Sequence, residues 1–342
     1  MADGHKQHHR HRSPARLRIA LVGADTLVAR ELRDLIAVWD SSVALEMISA
    51  SAENAAVLTR DDEEALPLIP LTKEALAGAQ VVFLAGSPAS SRKALKLRGD
   101  DGPRLVDLTA ALEDQPNARL RAPSGENPSN LTPAGISVIA HPAAAALAQF
   151  LRAIATQASI AQCIVHVMEP ASERGKTGVE ELHQQTVATL SFKPLKKKIF
   201  DAQLSFNVLA RYGEEAAEPL EGVEEKVGRH LASLLASESI VMPSLRLIQV
   251  PVFHGYSFSI WIRFNDAPDK KRLESALSAG GIDVRVEDPP SNAGTAGQEG
   301  LSAGAIAADA NDPRAYWFWL VTDNLRLTAA NAIEVAKEFL SQ

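Results

Sequence analysis

The chain has 342 residues, 46% hydrophobic and 23% charged, with one cysteine and a formal net charge of −7. That length suits two domains with a sizeable core, and a lone cysteine excludes an intrachain disulfide framework, so a reducing, cytoplasmic setting is expected. Lys and Arg are interleaved with Asp and Glu beyond the first residues, which disfavours a nucleic-acid partner; no apolar run approaches the roughly 20 residues of a membrane span, and the N-terminus lacks a signal peptide's apolar segment.

Residues 1–15 hold His5, His8, His9 and His11 among Lys and Arg without apolar periodicity, which reads as a disordered tail and not as a metal site. From Leu17 the pattern becomes Leu-Arg-Ile-Ala-Leu-Val-Gly, a strand ending in Gly23, followed by a helix from Val28. Further strands fit Leu45 to Ala50, Val81 to Ala85, Arg104 to Leu108 and Ile136 to Ala140. Short apolar strands alternating with helical stretches predict α/β architecture, a doubly wound parallel sheet of the dinucleotide-binding kind over 16–140.

Beyond Pro142 the texture changes to α+β. A helix over Ala143 to Thr156 precedes a strand over Ile160 to Val167, and a Lys- and Pro-rich excursion runs from Gln185 to Pro219. A helix follows from Val223 to Ala236, then two alternating runs, Leu245 to Phe253 and Tyr256 to Phe264, that predict an antiparallel hairpin. A helix introduced by Ala267-Pro-Asp, a strand over Tyr316 to Val321 and an amphipathic helix from Ala329 to Leu340 complete the reading, the last helix long enough to pack back on the first domain. The expected units are 141–325 as a second domain with an antiparallel or mixed sheet, and 326–342 as that returning helix.

Gly23 begins a dinucleotide-type turn, but Thr26 and Ala29 stand where the second and third glycines belong. A β-branched Thr26 is expected to resist a glycine conformation and to intrude on a phosphate, and Asp25 to cap the helix and repel one. Gly23 itself is explained equally by the turn and by cofactor contact; Gly86 either admits a cofactor or ends its strand.

The first turn, Phe83-Leu-Ala-Gly-Ser, Glu126-Asn-Pro, Ala140-His-Pro, Glu173-Arg-Gly-Lys-Thr-Gly-Val-Glu-Glu-Leu, Phe206-Asn-Val, Val250-Pro-Val-Phe-His-Gly and Val321-Thr-Asp-Asn-Leu-Arg occur in the order of aspartate-semialdehyde dehydrogenase, which the chain resembles from Leu17 onward in the manner of a degenerate, Usg-type paralogue. The resemblance implies an NADP-binding Rossmann domain joined to a dimerisation and catalytic domain, with reductive dephosphorylation of aspartyl phosphate through a cysteine thioester in active members. By that resemblance Ala144 stands at the nucleophile's place, Tyr256 at the base histidine's, Glu169 at the orienting glutamine's, Gln249 at the arginine that holds substrate carboxylate, and Glu113 at the arginine that holds acyl phosphate. Lys226 matches a second phosphate contact, while Gly23, Thr26, Leu27, Gly86 and Asn324 fall on the cofactor side. A methyl group cannot form a thioester, tyrosine is a poor base at neutral pH, and a carboxylate at position 113 repels phosphate.

These replacements predict a catalytically inactive binding or dimerising protein with NADP binding weakened or lost, a homodimer, and a mixed dimer with an active paralogue as a further expectation. The alternative is an NADP-dependent oxidoreductase without a thioester, in which His141, His254, Tyr256 and Glu169 meet in the old active-site cleft. Cys163 is expected in the core, Asn324 as a helix cap or nicotinamide contact, and the 173–178 loop as a turn into a helix at Val179 or an anion nest. The Lys193 to Lys198 run and the Glu-rich stretch from Gly213 to Glu225 read as solvated faces.

Overall fold

The computed structural model describes residues 17–50, 58–61, 64–99, 101–127 and 135–341; the histidine-rich tail and Pro128 of the Asn-Pro motif lie outside them. Strands β1 (Arg18–Val22), β2 (Ala44–Ile48), β5 (Val81–Leu84), β6 (Arg104–Asp107), β7 (Ala118–Arg121) and β8 (Ile136–Ile139) form an all-parallel sheet of order β2-β1-β5-β6-β8-β7. A hairpin of β3 (Leu58–Asp61) and β4 (Glu64–Pro67) lies apart from it. Residues of β1, β5, β6 and β8 are buried on both faces because helices cover both sides. One face packs on α1 (Leu27–Trp39) and the other on α2 (Lys73–Leu76) and α3 (Pro88–Arg98).

The second sheet is mixed, of order β10-β9-β11-β14-β13-β12, from β9 (Ile160–Glu169), β10 (Ser244–Gln249), β11 (Tyr256–Phe264), β12 (Ile282–Arg285), β13 (Leu301–Ala308) and β14 (Ala315–Thr322). Its inner face, with Val165, Phe258, Ile260 and Phe318, packs on α4 (Pro142–Ala155), α6 (Leu220–Leu234) and α7 (Lys270–Ala279). The short α8 (Asn292–Thr295) precedes β13. The remaining helices are α5 (Gly175–Leu190), entered through a 3₁₀ turn over Ala171–Arg174, and α9 (Asn324–Ser341), which returns to lie along α1.

The expected hairpin of Leu245 to Phe253 with Tyr256 to Phe264 does not form. β10 pairs parallel with β9, β11 pairs antiparallel with β9, and β9 therefore lies between them. Residues 250–255 are too many for a tight turn and instead wrap the end of β9, where Val250 donates to the Glu169 carbonyl and Ala171 and Ser172 donate to the carbonyls of Val252 and Phe253. Helix α5 also differs from expectation: it begins at Gly175, four residues before Val179, and runs through Gln185 to Leu190. Its buried Glu181 and Gln185 then organise the excursion, accepting from the backbone of Lys198, Ile199, Leu204 and Ser205.

Candidate functional site

The carboxyl ends of β1, β5, β6 and β8 open into a cleft of about 310 Å³, the position where doubly wound sheets bind ligands. Thr26, Leu27 and Val28 line it from the first turn of α1, with Gly86, Thr109 and His141 after later strands. The opposite wall is Ser172, Glu173, Arg174 and Gly175, with Glu218, Lys226 and His230 below and Asn324 beside.

Gly23 and Gly86 explain one another. Gly23 has φ +81, and a Cβ on it would lie 2.2 Å from Gly86 Cα; a Cβ on Gly86 would meet Ser90 Oγ at 2.6 Å. Two backbones touch there, which only glycines permit. Thr26 departs from expectation, for it has ordinary extended φ −83 and no strain, and its hydroxyl caps α1 by accepting from Ala29 while contacting the Gly23 and Ala85 carbonyl oxygens. Asp25 is exposed and does not cap the helix.

The degenerate positions are placed differently. Ala144 is fully buried near the start of α4 and does not line the cleft; Glu169, Gln249 and Tyr256 do not line it either. Glu169 accepts from Arg174 at 3.0 Å through one oxygen, which lies 3.1 Å from the Tyr212 hydroxyl oxygen, and from Tyr256 at 3.3 Å through the other. Gln249 accepts from the Tyr212 hydroxyl at 2.5 Å and donates to the Glu169 carbonyl at 2.8 Å. Burial raises the Glu169 carboxyl, opposed by the Arg174 charge, and pushes the Tyr256 hydroxyl well above its usual range. A phenol so held is no base at neutral pH.

Of His141, His254, Tyr256 and Glu169, His254 lies on the wrap around β9 and only His141 lines the cavity, but His141 and Tyr256 are in contact, their rings edge-on at 5.8 Å between centroids, and the Tyr256 hydroxyl reaches Glu169 behind the cleft wall. Burial depresses the His141 imidazole well below 6.5. Its Nε2 stands 3.7 Å from Glu173, whose carboxyl accepts from Asn324 at 3.1 Å and is raised by burial, then by Glu169, to about 7. Asn324 does not cap α9, because Asp323 does so through Leu325 and Arg326; its amide oxygen instead accepts from Gly255 and Ser172.

Glu113 faces away from the cleft. Its carboxyl takes a 2.8 Å hydrogen bond from His230 Nε2, whose Nδ1 accepts from the His141 backbone at 2.9 Å, and Arg229 stands 3.5 Å off. That hydrogen bond lowers the Glu113 carboxyl despite partial burial. Glu113 thus latches the loop after β6 to α6 and sets the start of α4. Cys163 is a buried strand residue on the face of β9 that also carries Glu169, its thiol pushed up to about 12 by burial.

The 173–178 loop gives Arg174 to the cleft wall, with Glu169 and Glu218 holding its guanidinium; Gly178 serves packing, because a Cβ would lie 2.4 Å from the Ala171 carbonyl. Glu218 is not merely solvated, since it also pairs with Lys226 at 3.0 Å. Lys226 and His230, spaced i and i+4 on α6 with Val223 one turn earlier, share one face toward the cleft. That spacing was the available signal for His230; Glu218 left none.

Residues 151–327 match the family model described as semialdehyde dehydrogenase, dimerisation domain. A USG-1 protein homolog of Pseudomonas aeruginosa is 29% identical over 338 residues, covering 93% of this chain and 96% of its own. The structure of a probable aspartate-semialdehyde dehydrogenase from Pseudomonas aeruginosa superposes with a TM-score of 0.83 at 28% identity, over 95% of this chain and 99% of that one. Aspartate semialdehyde dehydrogenase with NADP from Candida albicans shares the fold, with a TM-score of 0.68 at 16% identity over 95% and 98% of the two chains. The chain belongs to the semialdehyde dehydrogenase family.

Proposed function

We propose that this protein is a homodimeric binding member of its family that keeps a nucleotide cleft, with weakened affinity for NADP, and does not run the semialdehyde reaction. The observation that carries the reading is the division of the old site: Thr26, Leu27, Gly86 and Asn324 line an open cleft, whereas Ala144, Glu169, Gln249 and Tyr256 are closed into the core. NADP is assigned to the strand ends, where Thr26, Leu27 and Val28 at the first turn of α1 and Gly86 after β5 line the cavity. Bound there, NADP would supply a hydride acceptor; at the place the resemblance gives to the nucleophile, this chain brings none. Ala144 offers a methyl group, and the Glu169 carboxylate is engaged by Arg174 and Tyr256.

The dimer reading rests on the outer face of the mixed sheet. Ile164, Trp261 and Trp317 stand in register across β9, β11 and β14, with Ile164 42% and Trp317 39% exposed, and both indoles donate to Asp309. A row of this kind suits a second copy of the sheet. A mixed dimer with an active paralogue would use the same face, and co-purification from native cells tests it.

The test combines calorimetric titration of NADP with an assay for NADP-dependent oxidation of aspartate semialdehyde in phosphate. The reading expects weak, saturable NADP binding and no turnover above the uncatalysed rate. Turnover at an enzyme-like rate overturns it.

A further inference from the structure

The outer face of the mixed sheet carries an imidazole at its centre. Along β9 the side chains alternate, so Val165 and Val167 are buried in the core while Ile164, His166 and Met168 face outward. Strand register extends each of these three into a row. Ile164 stands beside Trp261 and Trp317, and Met168 beside Ser257 and Val321; His166 lies between them, with Arg246 of β10 on one side and Ser259, then Trp319, on the other. The His166 imidazole is half-buried and makes no hydrogen bond or ion pair with a described residue. Its charged neighbour in register is Arg246, whose side chain is 61% exposed and whose Nε lies 4.0 Å from Glu224 Oε2, an oxygen that also accepts from the Leu247 amide. From β11, Arg263 stands two rows away and is paired with Asp312 at 2.8 Å. From β14 comes Trp319, whose indole donates to the Pro290 carbonyl, and from α8 the uncharged Asn292, which accepts from Ser257.

We propose that His166 makes the sheet-face dimer responsive to pH: two copies associate with both imidazoles uncharged, and protonation of His166 separates them. The inference rests on the dimer reading above and adds its regulation. A second copy seated over the Ile164, Trp261 and Trp317 row also covers the His166 row, because the two rows are about 7 Å apart along the strands. Removing an imidazolium from water without a partner is costly, and the Arg246 guanidinium beside it supplies repulsion instead of a counter-charge. A neutral imidazole incurs neither penalty. A two-fold interface uses the same face twice, so the penalty arises on both copies. The sign follows from linkage: the separated copies bind protons that the dimer excludes, so association is strongest above the range in which histidine titrates and weakens as pH falls through it.

The experiment is sedimentation of the full chain over a nanomolar-to-micromolar dilution series at about pH 8 and about pH 5.5, at one ionic strength. The dimer is expected to be about 100-fold weaker at the lower pH, about tenfold for each of two histidines one pH unit below the ordinary midpoint. His166→Gln keeps a polar side chain without a titrating charge, and is expected to dimerise with nearly equal affinity at both pH values. His166→Lys places a fixed cation there and is expected to weaken the dimer at the higher pH as well. Circular dichroism verifies that every sample is folded, which separates dissociation from acid unfolding. A parent dimer of equal affinity at both pH values overturns the proposal and leaves the dimer reading in place, as does a pH dependence that persists in His166→Gln. His166→Lys with the parent's affinity at the higher pH contradicts it without any change of pH. A parent chain that is monomeric at micromolar concentration at both pH values removes this inference and the dimer reading together.

Discussion

A carboxyl group held near neutrality in a cleft wall makes Glu173 sensitive to pH. Its folded value is raised from 4.5 to about 7, chiefly by burial, with the Glu169 charge adding to it. Between those values the folded chain binds the proton more tightly than the unfolded chain, so stability falls as pH rises through that window and levels off above about pH 7. At about 1.4 kcal/mol per pH unit the loss is bounded at about 3 kcal/mol. Glu173→Gln keeps an acceptor for Asn324 and cannot ionise. Its melting temperature is expected to exceed the parent's at pH 8, with the gap closing as pH falls toward 4.5; thermal melts across that range check this, and a gap independent of pH contradicts it.

At the scale of elements, the turn from β1 into α1 fixes the shape of the cleft floor. Gly23→Ala puts a methyl group against the Gly86 backbone at φ +81, and a loss of about 2–4 kcal/mol is expected in chemical denaturation; a loss below about 0.5 kcal/mol contradicts the touching-backbone account. The parallel sheet was legible because β5 is a continuous apolar run, β1 is one after Arg18, and β8 is broken only by Ser137. Strand β7, Ala-Arg-Leu-Arg at the sheet edge, was not, since its one large apolar residue gives no period and its Arg121 is buried only through Glu126 and Glu338. Strand β13 is rich in Ala and Gly and owes its form to β14 and β12 beside it, not to propensity. The pairing of β10 with β9 was illegible for another reason: alternation marks a strand but not its neighbour. In the site, the missing thiol and the glycine turn could be read from residue identities, whereas the burial of Tyr256 and the grip on Glu218 depend on residues far apart in the chain.

For the whole molecule, two surfaces matter. The Ile164, Trp261 and Trp317 row predicts that Trp317→Glu shifts the protein from dimer to monomer in sedimentation velocity at micromolar concentration, with its fold retained; an unchanged dimer contradicts the placement of the interface on this sheet. The second surface is the cleft, which reaches Pro142 at the first position of α4 while Ala144, two residues on, is buried. Reactivity of a thiol placed at position 144 tests that division most directly. In Cys163→Ser combined with Ala144→Cys, with folding verified by circular dichroism, the single thiol is expected to resist an aromatic disulfide reagent until the chain is unfolded. Labelling of the native protein at the rate of a free thiol would contradict the closure of the catalytic side.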